Sequence, residues 1–310
     1  MDKKGGMKPA RNPKPKWLKT RLIGGDAYRG VQHILQKHAL HTVCQSAACP
    51  NRGECWGEGT ATFMILGNAC TRGCRFCAVA RSASPPPVDP AEPRKVADAA
   101  AELNIDYAVI TSVTRDDLPD GGAAKFAETV RALKSADPSP LVELLIPDYL
   151  GAALKTVLDA TPDVLAHNIE VTRTLSPRMR HPKFEYKRSL EVLSSAKDAA
   201  PDIITKSSIM LGLGEGTDEV MDAMADLRKH HVDILVLGQY LRPTLDNAEV
   251  IDYVPPETFD ALAAAGLEMG FGYVAAAPLA RTSYKAKEAY LTLMANRAAR
   301  ETGQGRKEHP

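Results

Sequence analysis

Apolar residues along this chain follow two alternating rhythms. Short continuous runs rich in Val, Ile and Leu, bounded by Gly, Pro or charged residues, predict buried strands over 60–66, 107–111, 141–146, 164–168, 203–211 and 233–239. Segments with helical spacing of apolar positions separate them at 94–103, 123–136, 151–160, 189–199 and 217–230, and another, 30–40, precedes the series. Repeated strand-helix units imply a parallel sheet with right-handed crossovers. Six of them build either an open doubly wound sheet or an incomplete barrel, and periodicity alone does not separate the two. In both, chemistry collects at the C-terminal ends of the strands. Polar motifs fall there: Cys70 to Cys77 after the first strand, Arg115-Asp116-Asp117 after the second, Pro147-Asp148 after the third, Asn168 and Glu170 after the fourth, and Gln239 to Pro243 after the sixth.

Composition narrows the class. Of 310 residues, 44% are hydrophobic and 25% charged, an ordinary globular balance, and no apolar run approaches a membrane span. Residues 1–21 hold many Lys, Arg, Pro and Gly with the single acid Asp2, so a flexible basic arm is expected; no apolar stretch or cleavage-like site follows, which predicts a cytoplasmic protein. Such an arm acts as a solubilising tail or steers an acidic partner. A net charge of +1 excludes a general nucleic-acid binder, which needs a large basic surface. The cysteines change the picture most. All six lie between Cys44 and Cys77, and crowding of that kind in a reducing compartment points to metal rather than disulfides.

Cys70, Cys74 and Cys77 form C-x3-C-x2-C in a loop that Gly73 lets curl. Three thiolates leave one iron of a [4Fe-4S] cluster without a protein ligand. That open iron can chelate the amino and carboxylate groups of S-adenosylmethionine (SAM), so that one electron cleaves the sulfonium into methionine and a 5′-deoxyadenosyl radical. Structural zinc is the alternative, but it takes four ligands and this segment offers one C-x2-C pair. The pattern resembles the defining motif of the radical SAM superfamily. A second triplet, Cys44, Cys49 and Cys55, is likewise one ligand short; by itself it is a satellite metal site or a set of buried thiols.

Longer stretches carry a narrower resemblance. Cys44-Gln45-Ser46-Ala47-Ala48-Cys49-Pro50-Asn51-Arg52-Gly53-Glu54-Cys55-Trp56, the C-x3-C-x2-C loop and Arg281-Thr282-Ser283-Tyr284 are similar to the lipoyl synthase family. So are Arg115 to Gly122, Glu143 to Asp148 and Gln239 to Pro243. The resemblance spans roughly Trp17 to Tyr284. It implies a partial (β/α)6 TIM-like barrel over 60–272. An N-terminal extension, 22–59, carries auxiliary-cluster cysteines, and a C-terminal extension, 273–310, carries the Arg-Thr-Ser-Tyr motif. It implies two [4Fe-4S] clusters: a radical cluster on Cys70, Cys74 and Cys77, and an auxiliary cluster on Cys44, Cys49, Cys55 and Ser283. It places Asn168 and Glu170 against SAM, with Thr111, Lys206 and Arg242 as further cofactor contacts. The reaction implied is hydrogen abstraction at C6 and then C8 of an octanoyl chain, with sulfur from the auxiliary cluster inserted at each carbon and two SAM consumed. The implied partners are octanoyl-lysine carriers (lipoyl domains of 2-oxoacid dehydrogenase complexes or the glycine cleavage H protein), a reductant such as ferredoxin or flavodoxin, and an iron-sulfur cluster carrier.

The sequence departs from the family pattern at Gln45-Ser46, where an acidic pair is usual, at Thr282, where a serine is usual, and at Asn247, where histidine is usual. The first two are expected to affect packing and charge near the auxiliary cluster, and Asn247 contacts with the carrier. The Thr282 hydroxyl is expected to point away from that cluster. Gly212-Leu213-Gly214-Glu215-Gly216 lacks a full dinucleotide fingerprint and is a barrel loop, and His167, beside an apolar strand, is a hydrogen-bonded core residue. Two other classes compete: another radical SAM enzyme that inserts sulfur or methylthio groups, and an iron-sulfur electron carrier without a SAM pocket.

Overall fold

The computed structural model describes residues 13–20, 24–136 and 138–301. Most of the basic arm, including Lys3, Lys4, Lys8 and Arg11, lies outside the described residues. The strands are β1 (His41–Thr42), β2 (Thr62–Ile65), β3 (Ala69–Cys70), β4 (Ala80–Arg81), β5 (Tyr107–Ser112), β6 (Leu141–Leu145), β7 (Val164–Ala166), β8 (Ile204–Leu211), β9 (Ile234–Gln239) and β10 (Tyr273–Ala277). The helices are α1 (Asp26–Lys37), α2 (Val43–Ser46), α3 (Arg52–Gly57), α4 (Glu92–Glu102), α5 (Ala123–Lys134), α6 (Gly151–Leu158), α7 (Ser176–Met179), α8 (Tyr186–Ala199), α9 (Thr217–Lys229), α10 (Pro256–Glu268) and α11 (Ala286–Glu301).

The main sheet runs β1-β2-β5-β6-β7-β8-β9-β10, with every pair parallel except the antiparallel edge pair β1/β2. All six strands expected from apolar runs are present in chain order. A seventh parallel strand, β10, follows α10 and pairs with β9 from Tyr273↔Ile234 to Ala277↔Gly238. Its sequence, Tyr-Val-Ala-Ala-Ala, has little strand character; register with β9 makes it a strand. Such a sheet is consistent with the partial barrel that the resemblance implied, with β10 as a seventh parallel strand beyond residue 272.

Side chains alternate across each strand. On β5, Ala108 and Ile110 belong to the outer core, a cluster that also takes Val96 and Ala99 from α4 and Phe126 and Val130 from α5. Tyr107 and Val109 face the other way and meet Ala286 of α11. Ala289 and Leu293 of α11 pack on Val164, Ile204 and Ile234, the first residues of β7, β8 and β9, so α11 plugs the N-terminal mouth of the barrel. Just inside the plug lies a polar layer. Lys206 Nζ of β8 donates to both oxygens of Glu143 on β6 at 2.9 and 3.0 Å, and Tyr107 Oη of β5 donates to the same carboxylate at 2.8 Å. Among the described residues no helix is long and apolar enough to cross a membrane.

Candidate functional site

The cysteine loop begins where β2 ends. Cys70 lies on β3, which pairs in parallel with β4, so residues 71–79 form a closed excursion. Backbone bonds from Thr71 N–H to Thr114, Arg75 N–H to Met179 and Ala248 N–H to Arg75 tie that excursion to two other loops and the end of α7. Arg72 is buried and bridges Asp116 at 2.8 Å and Asp148 at 2.9 Å. The hydrogen bond from Arg72 first, then its charge, the Thr71 hydroxyl and Lys183, lower the Asp116 carboxyl to about 2. Arg115 pairs with Asp117 and donates to Leu66 O at the end of β2. The acidic motif after β5 is therefore scaffolding for the cysteine loop.

Cys70, Cys74, Cys77, Thr111, Asn168 and Glu170 line one cavity of about 170 Å³ at the C-terminal ends of β2 and β5 to β7. Burial raises the Cys74 thiol, whereas Cys77 lies at the accessible rim. Glu170 is raised by burial as well. Among the described residues, two buried polar atoms of this wall have no hydrogen-bond partner, Ser112 Oγ and Arg180 Nε. Soft thiols, unpartnered donors and one buried acid suit a polar, metal-bearing cofactor better than an apolar ligand.

A second cavity, of about 730 Å³, is lined by Cys44, Cys49, Cys55, Arg281, Ser283 and Tyr284. Cys55 is pushed up to about 12 by burial first and then by Cys44 and Cys49, so the three thiols share one environment. Arg281 is lowered by burial and partly restored by Cys49. Asn51 donates to Leu279 O and Tyr284 Oη to Glu54, each at 2.8 Å, sewing the C-terminal motif onto the N-terminal cysteine segment. Gly238 permits this: a Cβ there would stand 2.2 Å from Ala280 O. Among the described residues no group of three His, Cys, Asp or Glu side chains is set to hold a single metal ion. Each triplet lines a cavity of its own.

The two cavities are stacked inside the barrel. Tyr107 and Val109 line the second and Thr111, two residues further along the same face of β5, lines the first. At about 3.3 Å per strand residue, Tyr107 and Thr111 lie roughly 13 Å apart along β5.

Two expected cofactor contacts are not brought to the first cavity. Lys206 sits in the polar layer above α11, paired with Glu143. Arg242 donates from Nε to Asn247 O at 2.9 Å and pairs loosely with Glu249. It props the loop that braces the cysteines, for Asn247 Nδ2 donates to Cys77 O at 2.8 Å. Asn247 thus ties its own loop to the cysteine loop. His167 is a core residue: Nδ1–H donates to Ile146 O, and Nε2 accepts from the Ser189 hydroxyl, which in turn accepts from Arg180. The 212–216 segment is a loop, Glu215 accepting from the Leu213 N–H at 2.9 Å. Sequence reasoning missed Arg180 and Ser112; a lone Arg in a loop and a strand-end Ser carry no local signal.

A parallel barrel with a C-x3-C-x2-C loop over its C-terminal mouth defines a radical SAM enzyme, a class that takes a [4Fe-4S] cluster and SAM. The profile of the Radical SAM superfamily matches residues 64–227. Solved structures with the same fold include the FeFe-hydrogenase maturase HydG from Carboxydothermus hydrogenoformans (TM-score 0.55, 15% identity, 74% of this chain and 56% of that one). Methylornithine synthase (PylB) is another (TM-score 0.52, 12% identity, 82% and 80%). The chain is 54% identical over 280 residues to the lipoyl synthase of Anaeromyxobacter sp. (strain Fw109-5), covering 90% of this chain and 95% of that one. It is 52% identical to the lipoyl synthase of Thermus thermophilus (91% and 88% covered) and 48% identical to the mitochondrial lipoyl synthase 1 of Pisum sativum (93% and 79% covered). The chain belongs to the lipoyl synthase family.

Proposed function

We propose that this enzyme inserts two sulfur atoms, at C6 and C8, into an octanoyl chain carried on a lysine of a lipoyl carrier domain. When bound, the radical cluster supplies the electron that cleaves SAM, and an auxiliary [4Fe-4S] cluster supplies the sulfur. Cys70, Cys74 and Cys77 would hold the first cluster, with Asn168, Glu170 and Thr111 around SAM. Cys44, Cys49, Cys55 and Ser283 would hold the second. The observation that carries the two-cluster reading is that Ser283, 228 residues from Cys55 in sequence (283 − 55), lines the same cavity as the second triplet. An alkoxide is a harder ligand than the three thiolates beside it, which makes that iron the weakest held. An external one-electron donor of the ferredoxin or flavodoxin kind, an iron-sulfur carrier that rebuilds the consumed cluster, and a cytoplasmic setting complete the proposal.

The test is anaerobic incubation of reconstituted, reduced protein with SAM and an octanoylated carrier peptide, followed by mass spectrometry of both products. Wild type should yield 5′-deoxyadenosine and a peptide gaining two sulfurs. Cys74→Ala should yield neither. Cys49→Ala and Ser283→Ala should still yield deoxyadenosine, with sulfur insertion depressed or lost. SAM cleavage by Cys74→Ala, or full two-sulfur product from Cys49→Ala, would overturn the assignment.

A further inference from the structure

The motif that closes the second cavity also reaches the first. Arg281, Ser283 and Tyr284 line the second cavity, whereas Thr282, in their midst, turns the other way. Asn168 Nδ2 lies 3.0 Å from Thr282 Oγ1 and 3.2 Å from Glu170 Oε1, and donates toward both. Asn168 is buried and, with Glu170, lines the first cavity. Glu170 has little freedom to adjust. Its backbone sits at φ 69°, where non-glycine residues are strained, and is pinned by bonds from its N–H to Ser208 O and from Met210 N–H to its own carbonyl.

We infer that Thr282 is a positioning residue that couples occupancy of the two cavities. The inference rests on the two-cluster reading above. SAM seated against Asn168 and Glu170 fixes the Asn168 amide. That amide fixes the Thr282 hydroxyl, and Ser283, one Cα step of about 3.8 Å further on, cannot stay loose when Thr282 is held. The segment is already anchored on both sides, by Ala280 against Gly238 and by Tyr284 on Glu54. Thr282 is the point at which the first cavity acts on it. Linkage makes the effect reciprocal: if SAM orders the segment, an ordered segment binds SAM more tightly.

The experiment compares wild type, Thr282→Ser and the near-isosteric Thr282→Val, reconstituted anaerobically and left unreduced so that SAM binds without being cleaved. SAM affinity is measured by equilibrium dialysis, and hydrogen exchange is followed at residues 279–285 with and without SAM. Removing the hydroxyl leaves a buried amide N–H of Asn168 without its acceptor, so Thr282→Val should bind SAM roughly three- to tenfold more weakly. It should also lose the slowing of exchange that SAM produces in wild type. Thr282→Ser should retain both. In an Asn168→Ala background, Thr282→Val should weaken SAM no further, because the hydroxyl acts through that amide. Iron content is read on the same samples. A wild-type chain that takes up a single cluster overturns the two-cluster reading and the coupling with it. Two clusters with unchanged SAM affinity and unchanged exchange in Thr282→Val overturns the coupling alone.

Discussion

Replacing Lys206 by Met separates a structural lysine from a cofactor contact. Lys206 and Glu143 are 1% and 0% exposed, and the carboxylate takes two bonds from Nζ and one from Tyr107. Met fills nearly the same space but removes the cation, leaving a buried carboxylate with a single donor. Breaking one side of a buried pair costs about 3–5 kcal/mol. With an unfolding entropy of about 2.1 cal/mol/K per residue, a chain of 310 residues has roughly 0.65 kcal/mol/K, so the thermal midpoint should fall by roughly 5–8 °C. The triple variant Lys206→Met, Glu143→Leu, Tyr107→Phe removes the whole polar layer and should recover most of that loss, since an apolar replacement of similar volume carries no desolvation penalty. Midpoints are read by near-UV circular dichroism at one scan rate, and SAM affinity is measured on the folded, reconstituted single variant. That affinity should match wild type, because Lys206 does not line the first cavity. An unchanged midpoint with SAM binding lost would refute the reasoning and return Lys206 to the cofactor.

Two further predictions follow from the same packing. Burial first, and then the positive charge of Arg180, lower His167 from 6.5 to about 4. Between those values the unfolded chain holds the proton that the folded chain refuses, so stability should fall as pH drops from about 6.5 to about 4. His167→Gln should make that slope shallower in urea titrations, and equal slopes would remove His167 as the cause. In Gly238→Ala, the added Cβ would sit 2.2 Å from Ala280 O, so the Arg281–Tyr284 segment must move. Deoxyadenosine formation should persist while sulfur insertion drops and stability falls by about 1–3 kcal/mol, as overpacking does; full two-sulfur product would show that the segment tolerates the shift.

The legible part of the fold and site was whatever neighbours in the chain encode. The apolar runs predicted six of the seven parallel strands, because a buried strand shows in its own composition. The Cys70, Cys74 and Cys77 set was legible because its ligands lie within one loop. The Cys44, Cys49 and Cys55 triplet was visible too, but composition and spacing left it one ligand short, and Ser283 entered only through resemblance. Tertiary structure decided the rest. Ser283 reaches that cavity because Gly238 lets the chain at Ala280 come close and Asn51 and Glu54 receive it. Lys206 and Asn168 are polar residues at or just after buried strands, yet one lies in the polar layer and the other at the first cavity. Depth along a barrel is set by register between strands, here Ala166↔Lys206, and no local pattern encodes it. Arg242 and Asn247 were expected at the cofactor and the carrier; in the fold Arg242 donates to Asn247 O, and Asn247 donates to Cys77 O. β10 is a strand only because β9 offers its edge. Periodicity and spacing are properties of adjacent residues, whereas level, approach and partner are properties of the assembled sheet, settled by backbone pairing between segments far apart in the chain.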